Sequence, residues 1–358
     1  MTRFIGRRIL VALPVLFGIL FLVFALARLL PGDPCVAALG ERADEETCAA
    51  WAAENGLDQP IPQQFLIYLQ DIASGDLGTS AKDGRPVNEL LIEHLPVTIE
   101  LSFYALLLAA VVGIPLGMIS ATRRNSPADV GTMALANLGV STPVFVLGLV
   151  LAFVFAVLLK DTPFALPPSG RLTAGTPVPP LAEVWGLEDL SGPFRVLIDL
   201  LSNMYTVNAI LRLDGPLFVD AFTHLILPMV ALATIPLAII ARMTRSSLLD
   251  NLGLDYVRTA RAKGLNERGV VVSHAMRNAL LPVVTIIGLQ LGGLLSGAVL
   301  TETIFRLGGM GSAIFEAIEG RDYAVIQGFT VVVAIGFLLV NLLVDLSYAK
   351  LDPRVRLG

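Results

Sequence analysis

Charge is scarce in this chain. Asp, Glu, Lys and Arg make up only 15% of its 358 residues, against about 25% in an ordinary soluble domain. Histidine occurs three times and cysteine twice, with no C-x-x-C pair and no Cys/His cluster. A structural zinc site is therefore not expected, and no metal site is assigned. The phosphate-cradling pattern G-x-x-x-x-G-K-[ST] is absent, so the sequence offers no nucleotide site of its own. Nothing in it points to a nucleic-acid partner.

Apolar residues fill the space that charge leaves. They are 55% of the chain, mean hydropathy is +0.74, and they come in long runs. Several runs exceed the roughly 18 residues needed to cross a bilayer core of about 30 Å. A soluble helical core would show one apolar and one polar face on each helix; these runs are apolar all round. The expected fold class is an all-α polytopic membrane protein with the bilayer as its solvent, a single transmembrane domain over 1–358. Spans are expected at 9–30, 101–120, 133–159, 225–241, 279–300 and 325–346. Gly113, Pro115, Gly117, Pro143, Pro228, Pro236 and Pro282 fall inside them, which membrane helices tolerate where neighbours re-satisfy the backbone.

The connecting segments are unequal in charge. Arg3, Arg7 and Arg8 precede the first span, Arg123 and Arg124 follow the second, and Lys350, Arg354 and Arg356 follow the last. The segment 246–278 adds Arg258, Arg261, Lys263, Arg268 and Arg277. All lie on one side of a six-span arrangement, which the positive-inside rule makes the cytoplasm, with both termini there. The segments 31–96 and 160–223 fall on the other side as extracytoplasmic insertions, the first rich in acids such as Asp33, Glu41, Asp44, Glu45 and Glu46. "DEETCAAWAAENGLD" and "PIPQQFLIYLQDI" read as helices forming a small layer over the spans, the second with a stripe of Phe65, Leu66, Tyr68 and Leu69. The first span carries a small-x-small pattern at Ala25-Leu26-Ala27, but its apolar run is longer than a secretory signal's, so it reads as an uncleaved anchor.

Cys35 and Cys48 share the first insertion. In an oxidising compartment they can pair, closing a short loop worth about 3 kcal/mol in the loop-entropy account; the alternative is two separate buried thiols. The central parts of the spans hold no Asp, Glu, Lys, Arg or His, which argues against a proton-driven carrier, since such carriers need ionisable groups in mid-membrane. Arg28, Glu100 and Asp345 stand near span ends, where they are expected to reach water. Gln290, Ser296 and Asn341 are polar residues left in the core and are candidates for a translocation path, although such residues more often form interhelical hydrogen bonds. The pairs Gly288/Gly292 and Gly293/Gly297 are small-xxx-small patterns suited to close helix packing.

One basic segment stands out. In "LGLDYVRTARAKGLNERG", Asp255 opens a short helix, Arg258, Arg261 and Lys263 come late in it, and Gly264 ends it, an order that suits the helix dipole and the left-handed C-terminal cap. Tyr256, Val257, Ala260 and Gly264 share a strip that can enter a partner's groove. A helix lying on anionic lipid fits the same residues. These residues alone do not decide between the two.

"DYVRTARAKGL" followed by "HAMRNALLPVV" resembles the cytoplasmic loop of permease subunits of bacterial ABC importers, in the peptide and nickel branch. "LLPGDP", "GDLGTS", "GIPLGMISA", "STPVF", "TETIF", "RDYAVIQG" and "LDPRVR" match the same family in order along nearly the whole chain. The resemblance implies a type I importer transmembrane domain of six helices, in the bacterial inner membrane. It implies a second, similar permease as partner, and two cytoplasmic ATPases that carry the ATP and Mg and bind Asp255, Tyr256, Arg258, Thr259, Ala260, Arg261, Ala262, Lys263 and Gly264 as a coupling helix. It further implies an extracytoplasmic binding protein that delivers di- or oligopeptides, or else nickel or glutathione-like solutes. A stand-alone channel is the competing class. The chain would be a transport subunit with no catalytic residue or cofactor of its own. Departures are visible: Arg258-Thr259-Ala260 stands where the broader importer motif has Glu-Ala-Ala, as is common in this branch, Arg306-Leu307-Gly308-Gly309 follows "TETIF" where relatives often carry a Ser-Trp-Pro-Gly-like turn, and the 160–223 insertion is longer than is usual.

Overall fold

The computed structural model describes residues 2–29, 35, 44–54 and 56–351. Most of "LLPGDP" and of "LDPRVR" lies outside the described residues, as do the side chains of Arg3, Ser296 and Asp345. The described secondary structure is helical apart from an isolated bridge between Thr79 and Pro86. In chain order the elements are α1 Thr2–Leu29, α2 Glu45–Glu54, α3 Ile61–Ser74, α4 Val87–Thr122, α5 Pro127–Ser141, α6 Val144–Phe153, α7 Leu181–Val184, α8 Pro193–Asn203, α9 Tyr205–Leu211, α10 Gly215–Leu252, α11 Asp255–Ala262, α12 Glu267–Gly269, α13 Met276–Gly297, α14 Val299–Ile304, α15 Met310–Glu319 and α16 Tyr323–Leu351. A π-type turn continues α6 over Val154–Leu158, and another joins α12 to α13 over Val270–Ala275.

Among the described residues five helices are long and apolar enough to cross a membrane, and the bent pair α5–α6 makes a sixth if counted as one span. The sequence reading of 133–159 as one continuous span needs correcting: α5 and α6 meet at 99°. Thr142 is extended and Pro143 precedes α6. Proline has no N–H to give the helix, and it drives the residue before it out of the helical region.

The centre of the molecule is the pair α4 and α10, both far longer than the expected spans at 101–120 and 225–241. Their backbones nearly touch along the "GIPLGMISA" stretch. A Cβ on Gly113 would stand 2.9 Å from the Leu237 carbonyl oxygen, and one on Gly117 would stand 2.5 Å from that of Ala241. In a bilayer, where lipid is as apolar as leucine, small residues that admit close backbone approach supply much of the association. α13 and α16 pack beside this pair by the same device: a Cβ on Gly288 would strike Val344, and one on Gly292 would strike Phe337. The expected packing role holds for that pair. Gly293 has no heavy atom within 4 Å of its would-be Cβ, so the second pair shows no such close approach at that position.

The two ends of α4 separate the loops. Its "acidic end", near Val87, faces the insertions, and its "basic end", near Thr122, faces α11. The first insertion is not simply a layer over the helix ends. Phe65 on α3 contacts Phe17, Phe21 and Phe24 of α1 with ring centroids 5.1–5.7 Å apart, so α3 lies along the flank of the first span. Leu66 belongs to the opposite, exposed face rather than to the stripe. The Cys35 and Cys48 sulfurs stand at bonding distance, with Cα atoms 5.4 Å apart. Protein purified without reductant is expected to show no free thiol and to gain two after reduction, checked by intact mass with alkylation.

Candidate functional site

The short basic helix forms as its residues dictate. α11 begins at Asp255, ends at Ala262, and is closed by Gly264 in the left-handed region at φ 79°. There the Gly264 N–H bonds the Arg261 carbonyl and the Leu265 N–H bonds that of Ala260, so the expected stop is where the sequence puts it. Asn266 then caps α12 through its side chain, accepting from Gly269 N at 2.7 Å.

The strip offered to a partner needs correcting. Val257 and Ala260 are buried in this chain's own core, against Ala121 of α4, Leu248 of α10 and Val270, Val271 and Ala275. Tyr256 is half-buried and donates to Asn251. An amphipathic period shows that a helix has a face to bury, not which molecule buries it. Here the apolar run just after α12 supplies the cover. What remains outward is Asp255, Arg258, Thr259, Arg261, Ala262, Lys263 and Gly264, flanked by Leu254 and Leu265 at 49% and 44% exposure. Arg261 is held by Glu267 of α12 through two hydrogen bonds, at 3.1 and 2.7 Å. Arg258 reaches Asp255 at 3.3 Å in full solvent, a pairing of little energetic weight.

A buried ion pair that the sequence reading missed stands beside α11. Asp129, in the first turn of α5, accepts two parallel hydrogen bonds at 2.9 Å from the Arg245 guanidinium of α10. It also accepts from Ser120 Oγ of α4 and from the Asn125 backbone. One carboxylate therefore ties α4, the turn after it, α5 and α10 together within a turn of Leu248, on which α11 rests. The pair spans 116 positions, and no local pattern marks it.

Three further polar clusters lock the acidic end. Glu100 does not reach water as expected: it is buried, accepting from Thr206 N at 2.7 Å and from Thr206 Oγ1 at 2.5 Å. Arg171 approaches it at 3.4 Å and stacks on the Tyr205 ring at 3.6 Å, which pins the second insertion to α4. Glu302 of "TETIF" is fully buried and accepts from Thr98 Oγ1 at 2.6 Å and Ser312 N at 3.0 Å. Burial holds its carboxyl above the ordinary range, and these donors oppose that only in part. The Arg306–Gly309 turn wraps this carboxylate, and a Cβ on Gly309 would stand 2.4 Å from it. Finally, Asp322 of "RDYAVIQG" accepts from Ser80 of "GDLGTS" at 2.5 Å, so two motifs 242 positions apart are halves of one contact.

The candidate path residues are spread out. Gln290 is half-buried on α13, while Asn341 lines a cleft between α1 and α16 with Val11 and Leu338. Ser296 lies on α13, its side chain outside the described residues.

The chain has known relatives. Residues 113–357 match the family described as "Binding-protein-dependent transport system inner membrane component", and residues 1–102 match the N-terminal part of such membrane components. The dipeptide transport system permease protein DppB of Escherichia coli K12 is 45% identical over 359 residues, covering 99% of each chain. The di/tripeptide transport system permease of Pseudomonas aeruginosa UCBPP-PA14 is 44% identical, again over 99% of each. A solved amino acid ABC transporter aligns with a TM-score of 0.45 at 13% identity, over 73% of this chain and 94% of that one. With a family match over most of its length and full-length relatives at this identity, the chain belongs to the binding-protein-dependent transport system inner membrane components, the permease subunits of ABC importers.

Proposed function

We propose that this chain is the permease subunit of an ATP-driven importer of di- or oligopeptides. Its partners in this reading are a second, similar permease, two cytoplasmic ATPases that bind ATP and Mg, and an extracytoplasmic binding protein. The basic end and both termini face the cytoplasm. Full-length identity to dipeptide permeases supports the substrate class.

One observation carries the coupling role. α11 has its inner face fixed in the core by Val257 and Ala260, while its outer face stays free between two exposed leucines. A helix held this way transmits displacement instead of absorbing it. Leu254 and Leu265 are the apolar anchors and Arg258 and Lys263 the charged rim of a docking face, the usual arrangement at a specific interface. Closure of an ATPase dimer would then move α11, and with it α4, α10 and the Asp129–Arg245 contact, as a rigid body that switches access between the two sides.

Proteoliposomes holding the assembled subunits and a binding protein are expected to accumulate labelled dialanine only with ATP. The chain reconstituted alone should pass none. Nucleotide-independent flux through the single chain would instead mark a facilitator.

A further inference from the structure

α3 carries more apolar surface than this chain covers. Ile61, Phe65, Tyr68 and Ile72 recur at i, i+4, i+7 and i+11. Pro62, Leu66, Leu69 and Ala73 repeat that spacing one residue on, so two apolar strips run side by side along the helix. Phe65 and Tyr68 hold the first strip against α1. The second turns away from α1 and is open: Pro62, Leu66 and Ala73 are exposed, Leu66 at 58%, and Leu69 is half-buried. No residue of α3 is buried within the described chain. The next strip, Gln63, Ile67, Gln70 and Ser74, is polar except for Ile67, which stands beside Gly56. The helix is amphipathic, and part of its apolar face has no cover.

The ring contacts fix how deep that face lies. Phe65 meets Phe17, Phe21 and Phe24, all inside the apolar span Gly6–Leu26. Phe21, the middle contact, stands five positions before the span's end at Leu26, about 7 Å at the helical rise of about 1.5 Å per residue. Amphipathic helices lie about 5–10 Å into the boundary between headgroups and acyl chains. The polar groups beside α3 keep the same level. The Arg28 guanidinium lies back over the Phe24 ring at 4.5 Å, and its Nε donates to Gln64. Phe17 and Phe21 are themselves half-exposed, so the open strip of α3 and the bilayer-facing surface of α1 run into one another.

We propose that α3 is an interfacial helix, its strip of Pro62, Leu66, Leu69 and Ala73 immersed in the acyl chains of the leaflet at the insertion end. α3 carries no Lys or Arg, and its one charge, Asp71, stands near its last turn. The attraction is therefore apolar burial and not headgroup charge. The consequence reaches the helix bundle. α3 runs into the Gly75–Ser80 turn, where Ser80 donates to Asp322 just before α16. A helix anchored in the leaflet holds that turn, and with it the start of the span Tyr323–Val344, at a fixed height against the bilayer surface. The anchor is independent of the substrate and of the coupling face.

The test attaches a nitroxide to Leu66→Cys, Gln63→Cys and Leu22→Cys, one at a time, in the full-length chain. Each is measured in phosphatidylcholine nanodiscs, as the chain alone and in the assembled transporter. Without reductant Cys35 and Cys48 are paired and take no label. Oxygen, which partitions into acyl chains, and a nickel chelate, which stays in water, compete to relax the nitroxide. Leu22, 60% exposed on α1, sets the lipid value. Leu66→Cys is expected to match it in both samples, with oxygen the stronger relaxant, while at Gln63→Cys the order inverts and nickel dominates. Leu66 and Gln63 are both exposed, so neither label displaces a packed side chain. The proposal is overturned if nickel relaxes the label at Leu66 as it does at Gln63, which puts the strip in water. It is equally overturned if the Leu66 label is shielded from both reagents in the assembled transporter, which gives the strip to a protein partner.

Discussion

Gly117→Leu is expected to leave little folded protein. The glycine Cα faces the Ala241 carbonyl oxygen and Thr244 of α10, which would lie 2.5 and 2.6 Å from a new Cβ. Neither atom is the free end of a flexible side chain: one is backbone and the other a Cβ fixed to it. The helices must move apart, and overpacking of this kind costs about 3 kcal/mol or more where the backbone has to shift. The loss spreads along the contact, because Gly113 one turn away needs the same approach. Gly131→Ala is the control. No heavy atom lies within 4 Å of its would-be Cβ, and alanine is favoured over glycine in a helix by about 1 kcal/mol. Thermal unfolding in detergent should show the leucine variant melting far below the parent, or failing to accumulate, and the alanine variant melting at or above it.

Asp129→Ala is the second large effect. Removal of the carboxylate leaves Arg245, Ser120 Oγ and the Asn125 N–H without their acceptor in a largely buried site. Arg245 retains some contact with solvent, so the loss comes from the four hydrogen bonds to the carboxylate rather than from a charge stranded deep in the core, and a clear fall in melting temperature is expected. Arg245→Lys should lose less, since an ammonium keeps the charge but cannot make the two parallel bonds of a guanidinium. Both variants are read by thermal unfolding. If Asp129→Ala melts with the parent, the pair does not hold α5 to α10.

The spans were legible because apolar runs of membrane length are a direct consequence of solvent, and the α11 boundaries were legible because Asp255 and Gly264 act locally. The bend at Thr142–Pro143 was less so: membrane helices absorb many prolines, and Pro115, Pro228 and Pro236 here lie inside unbroken helices. The polar clusters were not legible at all. Glu100 with Arg171, Glu302 with Thr98, and Asp129 with Arg245 join residues 71, 204 and 116 positions apart. Each partner looks ordinary in its own segment, and only the packing of α4 against α10 and the insertions makes them meet. The inner face of α11 is the instructive case: its period was correct, but the occupant of that face came from the next turn of the same chain.

The central claim is that work enters through the outer face of α11, and cysteine cross-linking tests it most directly. Single cysteines at Leu254 and Leu265, introduced with Cys35 and Cys48 retained and verified as non-reactive, are exposed to a short bifunctional reagent in the assembled transporter. The account predicts cross-links from both positions to an ATPase subunit. It also predicts that Leu254→Asp with Leu265→Asp abolishes both ATPase binding and ATP-driven uptake while the chain stays folded. Cross-links absent at both positions, with uptake unchanged in the double aspartate variant, would contradict it and place the energy input elsewhere on the basic end.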